Sequence, residues 1–351
     1  MVLLKNDGSL LPLPKGLSVA LIGPLADSRR EMLGCWIAAG NEAVAVSPLE
    51  GIAGMAKVSF AKGCETDAED DALMVEAVRV AGDAEVVILV LGESREMSGE
   101  AASRTRIRLP KCQRKLAKRI LKTGKPCVLV TMSGRPLELT WEDSKFPAIL
   151  HIWALGTEGG RALAEVIFGE AAPVGKLTMG FPRSVGQLPM TYREKPTGRP
   201  FDPAVQYTSK YLDVANGALY PFGHGLTYGE FELSAVSVDI PEMVAHGTIT
   251  VSVEITNLAA HPATETLQLY LRDLVASVTR PVKELRGYQR VTLDPRETRL
   301  ISFEITDADL SFPGPDFKPI VEPGEFEAMI GPSSAKVRSV KFWRIGSPNF
   351  L

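Results

Sequence analysis

Short, continuously apolar runs recur in the first half of the chain and predict buried strands. Between these runs, apolar residues recur at helical spacing. The predicted strands lie at 18–22, 86–91, 127–132 and 148–153, and the predicted helices at 67–81, 111–122 and 159–168. Runs this short are typical of parallel strands that are covered on both faces. The alternation predicts βαβ units, so we expect an α/β sandwich with a mostly parallel sheet over residues 1–180.

The hydrophobic period changes to two from residue 231 onward. Apolar and polar residues alternate at 248–256, 266–271, 299–305 and 326–330, with turn residues between them. Several short alternating strands predict an antiparallel, immunoglobulin-like β-sandwich over 231–351. Residues 181–230 are rich in Pro, Gly, Tyr and Arg and show no clear period. A connection of that length is uncommon unless it is functional or packed, so we expect a linker that packs over the domains.

Composition narrows the class of protein. The 351 residues are 45% hydrophobic and 23% charged, with a net charge of −3, which is typical of a globular protein. Nucleic acid is not expected as the partner, because phosphate binding requires a concentrated basic surface. No run approaches the ~20 apolar residues of a membrane helix. The amino terminus lacks the charged, apolar and cleavage segments of a signal peptide.

Several kinds of chemistry lack the residues that they need. The four cysteines and four histidines are scattered without ligand or C-x-x-C spacing, so neither a metal site nor a redox motif is expected. We expect buried cysteines with one exposed. The stretch 169–176 has one residue too many for a phosphate loop, and Leu177 stands where Ser or Thr is required. No G-x-S-x-G elbow is present. No cofactor is therefore predicted.

The loop after the predicted strand 86–91 is the best candidate for chemistry. It carries three carboxylates, Glu93, Glu96 and Glu100, together with arginines that include Arg104. In open α/β sheets, ligands bind outside the carboxyl ends of the strands. Glu100 lies between a glycine and two alanines, so no bulky neighbour would keep a substrate away. This carboxyl is a candidate general acid.

The amino-acid sequence of this loop resembles that of a known family. Residues 98–104, followed by Leu109-Pro110 and Gln113, are similar to the acid/base loop of glycoside hydrolase family 3, and most similar to its bacterial periplasmic β-glucosidases. Further stretches resemble the same family: 3–13, 132–136, 156–160, 174–177, 181–189 and 220–226. Residues 277–287 look like the fibronectin type III-like domain of that family. The resemblance covers essentially the whole chain.

The resemblance implies a retaining β-glucosidase, in which one carboxyl forms a glycosyl-enzyme intermediate and a second acts as acid and then base. By its place in the motif, Glu100 is the implied acid/base. Arg104 is the candidate for orienting it or holding its charge, and Glu93 is a weaker candidate for contacting a sugar hydroxyl. A general acid at neutral pH needs burial or a neighbouring carboxylate to keep its proton.

The nucleophile of the family is absent from this sequence. It is an aspartate of a Ser-Asp-Trp type motif on an amino-terminal (β/α)-barrel, and no such motif occurs here. We therefore expect the carboxy-terminal portion of a β-glucosidase, inactive alone and completed by a barrel domain or chain. The alternative is a non-catalytic carbohydrate-binding or assembly module. The implied substrate is a β-glucoside or oligosaccharide, the implied location is periplasmic or extracellular, and a homo-oligomer is left open.

Overall fold

A computed structural model describes residues 1–347 and the backbone of 349 and 350. The chain divides into two compact units. The first contains residues 1–175 and 181–188, and the second contains 176–180 and 189–351. No helix among the described residues has both the length and the apolarity that a membrane span requires.

The first unit is built on a six-stranded sheet in the order β1-β6-β5-β4-β2-β3. Its strands are β1 (Val2–Asn6), β2 (Ser18–Ile22), β3 (Lys57–Ala61), β4 (Val86–Gly92), β5 (Cys127–Met132) and β6 (Ala148–His151). Strands β2 to β6 run parallel, whereas β1 pairs with β6 in the antiparallel sense. Every residue of β4 and β5 is buried, as expected for strands covered on both faces. The predicted α/β sandwich with a mostly parallel sheet is confirmed.

Helices follow the strands of this sheet. They are α1 (Arg29–Leu33), α2 (Pro48–Ala53), α3 (Asp71–Asp83), α4 (Lys111–Leu121), α5 (Thr140–Asp143) and α6 (Gly159–Ile167). Helix α3 begins four residues later than predicted, because the Asp70 carboxylate caps it by accepting a hydrogen bond from the Leu73 amide at 3.0 Å. Helix α4 begins directly after Pro110, as predicted.

Helices α2 and α6 approach each other at the level of the backbone. A Cβ on Gly160 would collide with the Ser47 carbonyl oxygen, and one on Gly51 would collide with the Gly160 carbonyl. The Gly160 amide also donates to the Val46 carbonyl at 3.1 Å. The glycines at 156–160 therefore form a tight turn into a closely packed helix, and close packing explains this motif without an anion.

The second unit is a β-sandwich. One sheet has the order β13-β10-β7, with β8 also paired to β10, and the other has the order β12-β11-β16-β17-β9. The strands are β7 (Phe231–Leu233), β8 (Ser237–Val238), β9 (Glu242–Met243), β10 (Thr248–Asn257), β11 (Ala263–Asp273), β12 (Glu284–Leu293), β13 (Thr298–Thr306), β16 (Gly324–Ser333) and β17 (Lys336–Arg344). A short helix, α7 (Asp307–Leu310), and three short strands, β14 (Phe312–Pro313), β15 (Pro319–Val321) and β18 (Asn349–Phe350), complete the unit.

The core of the sandwich comes from the alternation that the sequence shows. On β10, the apolar residues Ile249, Val251, Val253 and Ile255 are buried, and the polar residues between them are more exposed. They pack with Leu267, Leu269 and further apolar side chains of the same unit. An immunoglobulin-like all-β unit follows the α/β unit in the chain, as predicted.

Candidate active site

The candidate loop leaves the sheet at the carboxyl end of β4, next to the carboxyl end of β5. Gly92 is paired with Met132 in the parallel register of these strands, and the Glu93 amide donates to the Met132 carbonyl at 2.9 Å. The residues after both strands therefore emerge side by side. This is the edge at which ligands bind in open α/β sheets. We refer to residues 93–105 as the acid loop.

A buried glutamine holds the base of the acid loop. The Gly92 amide donates to Gln113 Oε1 at 2.7 Å, and Gln113 Nε2 donates to the Gly92 carbonyl at 2.8 Å and to the Thr66 carbonyl at 2.7 Å. Gln113 lies on α4 and is fully buried. Its amide therefore satisfies both backbone groups of the last residue of β4, which would otherwise be buried without partners. The departure point of the loop is fixed by this contact.

The Glu93 side chain is buried between two arginines. Arg104 Nη1 lies 2.7 Å from Oε1, and Arg135 Nε lies 3.0 Å from Oε2. The exposed fraction of the Glu93 side chain is 0%, against 25% for Arg104 and 20% for Arg135. We call these three residues the Glu93 anchor. A buried carboxylate is stable only when it is paired and hydrogen-bonded in this way.

Arg135 extends the anchor to the outer part of the acid loop. Its Nη2 donates to the Ala102 carbonyl at 2.7 Å and also to the Met97 carbonyl. The neighbouring Gly134 allows the two loops to touch, because a Cβ at this position would collide with the Ser98 side chain. One guanidinium from the β5 loop therefore fixes both a carboxylate and two carbonyls of the β4 loop.

Glu100 lies at the exposed tip of the acid loop. The backbone is left-handed on both sides of it, at Gly99 (φ 110°) and at Ala101 (φ 57°). A positive φ is uncommon for alanine and marks a tight local conformation. Among the residues that the structure describes, no hydrogen bond or ion pair involves the Glu100 carboxylate. Glu100 therefore presents a free carboxyl group on an anchored loop.

The structure gives the three predicted site residues different positions. Arg104 contacts Glu93 rather than Glu100. Both oxygens of Glu93 are engaged by arginines, so Glu93 acts here as their counter-ion, and its contact with a sugar hydroxyl stays a prediction. The acid/base role of Glu100 also stays a prediction. Arg135 and Gln113 were not among the predicted site residues, although both stand in the stretches that carry the family resemblance.

A tryptophan missed by the sequence reasoning borders the tip. Trp36 follows α1, and its side chain is exposed to 73%. An ideal Cβ at Gly99 would lie 3.0 Å from Cys35 Sγ and 3.8 Å from Trp36 Nε1, so both residues flank the backbone next to Glu100. An exposed indole beside a free carboxyl group can pack against the apolar face of a ligand. A lone tryptophan in an irregular segment gave no periodic signal.

His151 ends β6 at the same edge, but it is buried. Its Nδ1 lies 2.9 Å from Thr131 Oγ1, and its ring packs edge-to-face on Trp153 and Phe181. Burial lowers the pKa of His151 to about 3, so the ring is neutral at physiological pH. Within the described part of the chain, no group of three potential metal ligands comes together.

Comparison with known proteins shows which family the chain belongs to. Residues 1–228 match the model of the glycosyl hydrolase family 3 C-terminal domain, and residues 265–334 match a fibronectin type III-like domain. The chain belongs to glycosyl hydrolase family 3. The predicted resemblance is therefore confirmed, and so is the order of its two domain types.

Full-length members of family 3 resemble the chain over nearly its whole length. It is 44% identical to the periplasmic beta-glucosidase of Salmonella typhimurium, over 97% of this chain and 48% of the relative. It is 39% identical to a beta-xylosidase of Formosa agariphila, over 95% of this chain and 47% of the relative. A crystal structure of a beta-glucosidase from Listeria innocua in complex with isofagomine superposes with a TM-score of 0.94 at 37% identity, covering 99% of this chain and 48% of that one. The chain spans about half the length of these relatives and corresponds to their C-terminal part.

Proposed function

We propose that this chain supplies the acid/base half of a retaining β-glucosidase active site, with Glu100 as the acid/base residue. The supporting observation is a free, exposed carboxyl group at the tip of a loop whose base is fixed by Gln113 and by the Glu93 anchor. A proton donor must be held within hydrogen-bond reach of the glycosidic oxygen. The fixed base of the loop and the free oxygens of Glu100 support this role.

The second carboxyl group comes from a barrel domain in this proposal. A retaining mechanism needs a nucleophile about 5–5.5 Å from the acid/base. The exposed tip of the acid loop leaves room for a second domain and a sugar to cover Glu100. The substrate class is a terminal β-D-glucoside or oligosaccharide, because the relatives named above include beta-glucosidases. The periplasmic relative supports a periplasmic or extracellular location.

The test measures hydrolysis of aryl β-glucosides by the chain alone and after mixing with a family 3 barrel domain. We expect no turnover by the chain alone and turnover in the mixture. In the mixture, Glu100→Gln should reduce kcat by about 10²–10⁴-fold, the usual contribution of a general acid/base. For a dinitrophenyl glucoside, kcat/KM should fall much less than for a poorer leaving group, because this leaving group departs without a proton. Its kcat should still fall, because the step that needs the general base is impaired.

With the dinitrophenyl glucoside, azide should partly restore turnover by the Glu100→Gln mixture and yield a glucosyl azide of retained configuration, because azide needs no general base. Glu76→Gln is the matched control, since Glu76 is also an exposed carboxylate, on α3. Full activity of the Glu100→Gln mixture would refute the assignment of Glu100. A mixture that binds tightly but never turns over would instead favour the non-catalytic module.

A further inference from the structure

Two of the four cysteines lie beside each other in the first unit. Cys64, just after β3, is fully buried, and Cys112, in the first turn of α4, is 3% exposed. Burial and, after it, the neighbouring Cys112 thiol raise the pKa of Cys64. Cys112 Sγ also lies 3.6 Å from the carbonyl oxygens of Glu65 and Thr66, the two residues that follow Cys64. Both cysteines are in the thiol form in this structure.

The surrounding packing keeps the two thiols together. Gly63 packs against the Leu116 side chain of α4, and Gln113 Nε2 donates to the Thr66 carbonyl at 2.7 Å. The segment 63–66 is therefore attached to α4 on both sides of Cys64. We propose that Cys64 and Cys112 form a disulfide bond when the chain folds in an oxidising compartment, and that this bond ties the segment after β3 to α4.

The oxidation balances with a small disulfide such as oxidised glutathione as the electron acceptor. The Cys112 thiolate attacks one glutathione sulfur and displaces a glutathione thiolate, forming a mixed disulfide. Cys64 loses its proton to solvent and attacks the Cys112 sulfur, which forms the Cys64–Cys112 bond and releases the second glutathione thiolate. The protons lost by the two cysteines are taken up by the two glutathione thiolates. Two cysteines are oxidised and one glutathione disulfide is reduced.

Burial of the two thiols determines whether this exchange occurs before or after the first unit has folded. Burial raises the pKa of Cys64 to about 12 and also raises the pKa of Cys112. Thiolates are the reacting species, so exchange is slow once the first unit has folded. The bond therefore forms during folding, before the segment 63–66 closes over α4. Afterwards the same burial protects it from reduction.

The position of the bond connects it to the base of the acid loop. Cys112 is next to Gln113, whose amide holds both backbone groups of Gly92. A cross-link at Cys112 would stiffen the part of α4 that carries this contact. It would also close a loop of about 50 residues and so reduce the conformational entropy of the unfolded chain. For a unit of this size, that stabilisation corresponds to a rise in Tm of roughly 10 °C. This proposal does not depend on the proposed β-glucosidase activity.

The test refolds the wild-type chain in glutathione buffer, in parallel oxidising and fully reduced samples. Each sample is denatured, alkylated, digested and mapped by mass spectrometry, and its Tm is measured by circular dichroism before denaturation. We expect a peptide linked through Cys64 and Cys112 in the oxidised sample, alkylation of Cys35 and Cys127 only, and a higher Tm than in the reduced sample. Cys64→Ser should remove both the linked peptide and the difference in Tm. Cys35→Ser, at an exposed position, should preserve both.

Three results would overturn the proposal. The first is alkylation of all four cysteines in oxidised chain that shows the native spectrum. The second is a disulfide that joins Cys64 or Cys112 to Cys35 or Cys127. The third is the expected linked peptide without any rise in Tm, which would show that the bond does not tie the segment to α4. The mapping and the Tm comparison use wild-type chain, so they remain decisive if Cys64→Ser fails to fold.

Discussion

Glu93→Gln tests whether Glu93 stabilises the fold, separately from the proposed acid/base role of Glu100. The substitution keeps the shape of the side chain but removes the charge that pairs with Arg104 and Arg135. Two charge-assisted hydrogen bonds become neutral ones, and an amide nitrogen meets one of the two guanidinium donors. We expect the first unit to lose stability although the Glu93 side chain is not exposed.

The magnitude follows from the two contacts. Hydrogen bonds to charged groups contribute about 1.5–3 kcal/mol each and neutral ones about 1 kcal/mol. Both arginines retain some exposure, so solvent offsets part of the loss when the carboxylate is removed. We therefore expect a decrease of about 2–4 kcal/mol in the free energy of unfolding. For a unit of this size, that is a decrease in Tm of roughly 5–10 °C.

The assay is equilibrium unfolding in urea, followed by circular dichroism, on Glu93→Gln and Glu100→Gln. Glu100 is exposed, so its substitution should change the free energy of unfolding by less than about 0.5 kcal/mol. A double-mutant cycle with Arg135→Met should give a coupling energy above about 0.5 kcal/mol. Equal stability of Glu93→Gln and Glu100→Gln would refute the reasoning, because it would mean that the buried ion pairs contribute nothing.

Three further predictions concern the residues around the anchor. Gln113→Leu leaves the Gly92 backbone groups buried without partners and should cost about 2–4 kcal/mol in urea unfolding, far more than Gln289→Leu, which loses one exposed hydrogen bond. Because the pKa of His151 is lowered to about 3 from 6.5, the unfolded chain binds the proton first as pH falls. Stability should then drop below pH 6.5, by up to about 1.4 kcal/mol per pH unit down to pH 3. His151→Gln should flatten that slope in denaturation curves measured across this range. Trp36→Ala should raise KM for aryl β-glucosides about three- to tenfold in the mixture with a barrel domain while leaving Tm unchanged, since the exposed indole can stack on a ligand without supporting the fold.

The strands that the sequence predicted well are those covered on both faces. β2 and β5 have the predicted bounds, because a short apolar run cannot be placed elsewhere than in the core. β3 was missed since Lys57, Ser59 and Phe60 are exposed and its alternation is weak. β17 was missed for a similar reason, because only two of its nine residues are buried and most of the others are charged or polar. β12 was also missed, and none of its first seven residues is buried.

Only the part of the candidate site that lies within the acid loop was predicted from the sequence. The acid loop and Glu100 stood out because a buried strand leads directly into a group of charges. The partnership of Glu93 with Arg135 was out of reach, because the two residues are 42 positions apart and meet only through the pairing of β4 with β5. The burial of Glu93 was equally hidden, since a glutamate after a strand is usually exposed.

Two residues of the acid loop itself, near its two ends, hold it together. The residues at its tip can therefore be substituted without removing that contact. Glu93 and Arg104, 11 positions apart, form the closing pair, and Arg135 holds the outer part only through the backbone carbonyls of Met97 and Ala102. Every residue type has such a backbone carbonyl, so these contacts do not depend on which side chains the tip residues carry. A library that varies residues 100, 102 and 103 on this base would present different acids, or none, from the same fixed loop.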